Sequence, residues 1–195
     1  MEKIATFLAN KMLDEKMISQ EDKDWFIYSL QVVIEKIIGY VSILLLAMMF
    51  NCFFQTVLFL LVFSGVRQYS GGFHLKHFGS CYLLSTVPYF IFLLLFQRYK
   101  GEFTSIAMLL VLLMVVGILC IGAVDNPAIH WNSREQYEKS TSTRIEAVII
   151  YCSLVGLKIA GVEDSYLWFM GFGICLSFAG LIAGMISNIK KYLEV

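Results

Sequence analysis

Long apolar stretches separated by short polar segments dominate the chain. Residues 37–66 carry no charged side chain, and this run exceeds the about 20 residues that one transmembrane helix needs. Asn51 and Cys52 lie near its middle and favour a tight turn between two spans. Over the whole chain the pattern predicts spans at residues 28–50, 53–66, 78–97, 103–124, 147–160 and 165–189. We therefore expect an all-α integral membrane protein with about six transmembrane helices, forming a single domain over residues 1–195, although the second and fifth spans are short.

The N-terminus has a different pattern. Ile4, Leu8 and Met12 recur on one face of a helix over residues 2–17, which is typical of an amphipathic helix lying on a membrane surface. A solvated N-terminal helix fits nearly as well. The pair Ser19 and Asp22 has the spacing of a capping box and predicts a helix start near residue 20. Residues 1–24 contain ten charged side chains and no uninterrupted apolar core, so we expect no signal peptide here.

Composition supports the membrane interpretation. Hydrophobic residues make up 58% of the chain and charged residues 15%, against about 45–50% and about 25% in soluble domains. One core cannot bury that much apolar surface, which excludes a soluble globular enzyme or a disordered chain. The 15 basic and 15 acidic residues cancel, which excludes a nucleic-acid binder. The five cysteines show no metal-ligand spacing, so we expect neither a metal nor another cofactor.

Charge placement predicts the topology. With six spans, residues 1–24, 67–77, 125–146 and 190–195 share one side, and that side holds eleven of the basic residues. The opposite side holds three. Because basic residues concentrate in cytoplasmic loops, we expect both termini, the 67–77 segment and the 125–146 connector in the cytoplasm.

The segment between the second and third spans concentrates reactive residues. It contains Arg67, His74, His77 and Cys81 among several glycines, and ionisable groups at a membrane boundary are functional by default. A neighbouring imidazole can take the proton of a thiol and return it to a leaving amine. An ordinary cytoplasmic connector remains the alternative on composition alone.

The local sequence around Cys81 favours a reactive thiol. Ser80 is a candidate N-cap, which would place Cys81 in the first helical turn, where the helix dipole favours a thiolate. His74 and Cys81 would lie about 10 Å apart on an unbroken helix, so the chain must bend between them. His77 is nearer in sequence and is a rival base.

Three neighbouring residues are candidates for supporting roles. Gly71 and Gly72 favour a turn whose N–H groups face an oxyanion. Arg67 is suited to holding a carboxylate, either of the substrate or of a supporting side chain.

These residues stand in the pattern R-x4-G-x-H-x6-C, formed by Arg67, Gly72, His74 and Cys81. The pattern resembles that of the accessory gene regulator B (AgrB) family of Gram-positive bacteria, which are integral membrane cysteine endopeptidases of about this length. The resemblance covers essentially the whole chain, including the Asp-Asn-Pro start of the connector at residue 125. One departure is that residues 128–131 lack the basic-Pro step found in many members.

The resemblance implies a function and a set of partners. Residues 67–81 would form the catalytic segment of a peptidase in the bacterial cell membrane, with Cys81 as the nucleophile and His74 as the general base and acid. The peptidase would remove the C-terminal tail of an AgrD-like precursor peptide near the cytoplasmic face and promote thiolactone or lactone ring closure. The resemblance also implies a homodimer. A non-enzymatic transporter or peptide-exporter component is the alternative, but it would not need Cys81.

Overall fold

The computed structural model describes residues 2–15, 17–71, 78–99, 101–125 and 131–193. Within these ranges, residues 2–3, 25, 78–81 and 189–193 are described by their backbone alone. The described part of the chain is all-helical and contains no strand. Its seven helices are α1 (Glu2–Asp14), α2 (Lys23–Met49), α3 (Phe53–Ser70), α4 (Phe78–Tyr99), α5 (Ser105–Ile121), α6 (Ser133–Ile159) and α7 (Asp164–Leu193).

The helices follow the predicted apolar stretches, with one large difference. α6 begins at Ser133, well before the span predicted at 147–160, so it includes part of the connector predicted at 125–146. A capping box explains the early start: the Asn132 side chain accepts from the Glu135 N–H at 2.9 Å, and the Glu135 carboxylate accepts from the Asn132 N–H at 3.0 Å. These bonds satisfy two backbone donors that a helix end leaves unpaired.

Two helical stretches are long and apolar enough to span a membrane by their own composition: Phe26–Met49 in α2 and Asp164–Asn188 in α7. α5 is a shorter apolar helix. Large apolar side chains on α2 at Val33, Ile37 and Val41 are about half exposed, as expected for a face in contact with lipid. An all-helical membrane protein is therefore confirmed, and the count of six spans stays a prediction.

α3 and α7 form the centre of the bundle. Gly173 of α7 lies so close to α3 that a Cβ there would be 2.9 Å from a Val62 side-chain carbon and 3.3 Å from the Phe59 carbonyl oxygen. Gly117 of α5 accommodates the Phe178 ring of α7 in the same way. Small residues at such crossings let helices pack closely. Close packing matters in a membrane because apolar helices gain no hydrophobic free energy by associating within lipid. The close packing holds the end of α3 in a fixed position relative to α7.

Candidate functional site

The structure places two predicted site residues at the end of α3. Arg67 lies in the last turn of this helix, and Gly71 is the residue that ends it. Gly72 and His74 follow directly in sequence but lie outside the described residues, as does the rival base His77. The pairing of a histidine with the cysteine therefore stays a prediction.

The other two predicted residues lie at the start of α4. Ser80 and Cys81 are the third and fourth residues of this helix. The helix begins at Phe78, so Ser80 lies inside the first turn and not at the N-cap position predicted for it. Cys81 is in the first turn, as the sequence predicts. The backbone N–H groups of a first turn and the helix dipole both favour a negative charge at this position.

Arg67 stabilises the end of α3. Its Nη1 donates to the Gly71 carbonyl oxygen at 2.7 Å, which is one of the carbonyls that a helix end leaves without a partner. The guanidinium also lies against α7, since a Cβ on Gly180 would be 3.0 Å from Nη1. This contact orients the backbone that leads into the predicted catalytic segment, so Arg67 has a structural role beside the carboxylate-binding role considered above.

Gly71 occupies a position that only glycine fits. Its φ of +61° lies in the region that favours glycine. A Cβ there would be 2.4 Å from the Val124 carbonyl oxygen and 2.6 Å from Cη2 of Trp131. The chain therefore makes its turn after α3 in direct contact with the connector between α5 and α6.

This connector packs onto the end of α3 through backbone and side-chain contacts. The Val124 N–H donates to the Ser70 carbonyl at 2.9 Å, and Val124 forms an isolated parallel bridge with Gly71. The Trp131 N–H donates to Asp125 Oδ1 at 3.2 Å. No site residue was predicted in this connector, although a tryptophan within a polar stretch indicates packing against a neighbouring element.

A cavity of about 290 Å³ lies between α2, α3 and α4. Arg67 lines it from α3, and Glu35 and Lys36 line it from α2. Tyr40 also lines it, and its hydroxyl is 2.8 Å from that of Ser64. Charged and hydroxyl groups thus face one space inside an otherwise apolar bundle, which is the arrangement expected of a ligand site.

The cavity adjoins the first turn of α4. Tyr82, Ser85 and Thr86 line it, and Tyr82 follows Cys81 directly. Ser85 is four residues after Cys81, so the two positions share a face of the helix one turn apart. Cys81, described by its backbone alone, directly precedes these lining residues in α4.

The other cysteines lie elsewhere in the bundle. Cys52 is buried between α2 and α3, Cys120 and Cys152 are exposed, and Cys175 is partly buried. Burial raises the pKa of the Cys52 thiol, which keeps it protonated at neutral pH and makes it a poor nucleophile. None of these four residues lines the cavity beside α4.

The described part of the chain is therefore that of an all-helical membrane protein, with Cys81 in the first turn of α4. The chain belongs to the AgrB family, because the family model described as "Accessory gene regulator B" matches residues 1–185. This match confirms the family resemblance inferred from the sequence.

Two curated relatives, both from Clostridium perfringens, share a segment with the chain. A protein named as AgrB-like protein 2, from strain 13 / Type A, is 31% identical over 86 residues, or 44% of this chain and 40% of that protein. An AgrB-like protein from strain SM101 / Type A is 27% identical over 86 residues, with the same coverage. Each match therefore spans less than half of the relative's length. No solved structure shows a significant match.

Proposed function

We propose that the chain is a membrane cysteine endopeptidase that processes a short AgrD-like propeptide for a quorum-sensing signal. Membership in the AgrB family supports a role in processing an autoinducing peptide. The observation that supports the proposal is that Tyr82, Ser85 and Thr86, which follow Cys81 in α4, line a polar cavity within an apolar bundle. Such a cavity can admit a polar peptide to a nucleophile while lipid-facing helices surround both.

The first half of the reaction removes the C-terminal tail of the propeptide. His74 takes the proton of the Cys81 thiol, and the thiolate attacks the carbonyl carbon of the scissile bond. The positive end of the α4 dipole stabilises the thiolate. When the tetrahedral intermediate collapses, His74 returns the proton to the leaving amine. The tail departs, and the N-terminal part of the peptide stays on Cys81 as a thioester.

The second half closes the ring. An internal thiol or hydroxyl of the peptide attacks the thioester carbonyl, gives its proton to His74 and displaces the Cys81 sulfur, which regains a proton. A thiolactone or lactone results. Exchange of one thioester for another is roughly isoenergetic, so hydrolysis by water is the competing loss. The apolar bundle around the cavity limits access of water to the acyl-enzyme.

The partners in this proposal are an AgrD-like precursor, the lipid bilayer and a second copy of the chain. The predicted topology places the reaction near the cytoplasmic face of a bacterial cell membrane, with both termini in the cytoplasm. Residues 67–77 carry Arg67 and Lys76 and no acidic residue, and this local positive charge would attract a precursor with an acidic tail. An amphipathic precursor would also be concentrated by the membrane surface, which is a proximity effect.

Substitution of the nucleophile tests the proposal. Protein in lipid nanodiscs is mixed with the precursor encoded beside it, and cleavage is followed by mass spectrometry. Cys81→Ser and His74→Ala should each lower the cleavage rate at least about a thousandfold, because nucleophile and base act as one unit. A hydroxylamine-labile adduct of precursor and protein should accumulate with the active chain.

The other cysteines serve as matched controls. Alanine at Cys120, Cys152 or Cys175 should leave cleavage unchanged, and Cys52→Ala should lower stability slightly without loss of the rate. Normal cleavage by Cys81→Ala would refute the peptidase proposal. Binding of the precursor without any cleavage by the unmodified chain would favour a transporter or exporter component instead.

A further inference from the structure

The cavity between α2, α3 and α4 holds one buried hydroxyl that the described residues leave unsatisfied and a carboxylate that forms no ion pair with them. Thr86 Oγ1 is buried and has no hydrogen-bond partner within the described part of the chain. The carboxylate of Glu35, which lines the same cavity, takes part in none of the ion pairs found among the described residues. A buried polar atom without a partner costs about 1–3 kcal/mol. Groups of this kind are retained where a ligand satisfies them.

The unsatisfied groups define what the ligand must offer. A carboxylate only accepts hydrogen bonds, and a threonine hydroxyl can also accept them. The ligand must therefore present N–H or O–H donors. An extended peptide does so at regular intervals along its main chain, and it can place an apolar side chain against the apolar lining from Val32, Ile43 and Phe63.

The volume limits the length of the peptide. At the about 30 Å³ that a water molecule occupies in the liquid, a cavity of about 290 Å³ accommodates about ten non-hydrogen atoms. This corresponds to two amino-acid residues of modest size. Since the cavity adjoins the first turn of α4, those residues are the ones next to the bond that Cys81 attacks.

We propose that the cavity binds two residues of the precursor beside the scissile bond, in extended form, with main-chain N–H groups donating to Glu35 and Thr86. This inference rests on the function proposed above. It makes Glu35, Thr86 and the walls of the cavity determinants of which peptide bond is cut. The chemical class of ligand is a peptide strand, whose main chain presents N–H donors at regular intervals.

A glycine in the cavity wall permits a sharp test. Gly39 lines the cavity, and a Cβ there would meet no atom within 4 Å. Gly39→Leu therefore adds four carbons, the first of which enters open space. At about 30 Å³ per atom they would occupy about 120 Å³, or roughly two fifths of the space. Gly39→Ala adds one carbon and should have little effect.

Precursor affinity is measured in the Cys81→Ala background, so that no cleavage interferes, by titrating labelled precursor into nanodiscs. We expect Gly39→Leu to weaken binding about tenfold or more, and Glu35→Ala and Thr86→Val to weaken it less. The control is Gly156→Leu in α6, where a Cβ also meets no atom within 4 Å and the residue does not line the cavity. It should bind the precursor as the parent does.

The outcomes separate this inference from the proposed function. If Gly39→Leu binds the precursor as tightly as Gly156→Leu does, the cavity is not the peptide site, even if Cys81 remains essential for cleavage. If both leucine variants weaken binding equally, the effect is not specific to the cavity and the inference also fails. Normal cleavage by a chain that carries only Cys81→Ala would overturn the proposed function itself.

Discussion

Replacement of Gly71 by alanine would test whether the turn after α3 positions the catalytic segment. The residue lies three positions before His74 and has a φ of +61°. Its carbonyl accepts from Arg67, and its Cα faces the connector between α5 and α6. Alanine would introduce both backbone strain and a collision, and these two effects can be separated.

The structure sets the size of each effect. A non-glycine residue in this conformation costs about 1–3 kcal/mol. The new Cβ would be 2.4 Å from the Val124 carbonyl oxygen, so the main chain must move by about 1 Å to reach an ordinary contact distance. A displacement of about 1 Å at a catalytic group can lower the rate about 100-fold. We therefore expect Gly71→Ala to lower kcat about 100-fold.

The control is Gly161→Ala, in the turn between α6 and α7. Gly161 has a similar φ of +74°, but a Cβ there meets no atom within 4 Å. It carries the cost of a positive φ without the collision, so it should lower thermal stability and leave kcat nearly unchanged. Cleavage kinetics and thermal unfolding in nanodiscs are measured for both variants. Equal kcat values for the two variants would refute the idea that contact at Gly71 positions the catalytic segment.

Two further substitutions test the packing around the site and in the core. Trp131→Ala removes the ring that packs on Gly71 and should lower kcat about tenfold without weakening precursor binding, whereas Trp131→Phe should restore most of the rate. Similar rates for the two variants would contradict a positioning role for the ring. Gly173→Leu must displace Val62 and should lower the free energy of unfolding by about 1–3 kcal/mol. Gly156→Leu should not, and equal stability of these two variants would contradict the close helix crossing.

Hydrophobic periodicity predicts most of the helices because each apolar stretch is bounded by charged or glycine-rich sequence. It fails for the first half of α6, where polar side chains such as Arg134 and Glu138 pair along the helix surface at 2.9 Å without any apolar face. The local signal was present in the Asn132 and Glu135 pair, which has the spacing of a capping box. Polarity alone therefore does not separate a solvated helix from a connector.

The site could be predicted only in part. The reactive residues are close in sequence, so their spacing identifies the segment. The candidate N-cap at Ser80 predicts Cys81 in the first turn of α4, although the helix begins two residues earlier, at Phe78. The contact between Gly71 and Trp131 joins positions sixty residues apart in the sequence, and no periodic pattern predicts it. Glu35 and Gly39 lie within a predicted transmembrane span. From the sequence, a charged residue such as Glu35 indicates the end of a span and not a binding site. Their shared cavity follows only from the way α2, α3 and α4 pack.

The hydrogen bond from Val124 to Ser70 has a consequence for how the protein is made. Ser70 and Gly71 leave the ribosome more than fifty residues before the backbone donor that holds them. A nascent chain that has inserted only α1 to α4 already carries Cys81 but lacks both Val124 and Trp131. The turn after α3 is thus completed only after α5 has been synthesised, so the proposed peptide cleavage requires the connector after α5 and cannot begin with the first four helices alone.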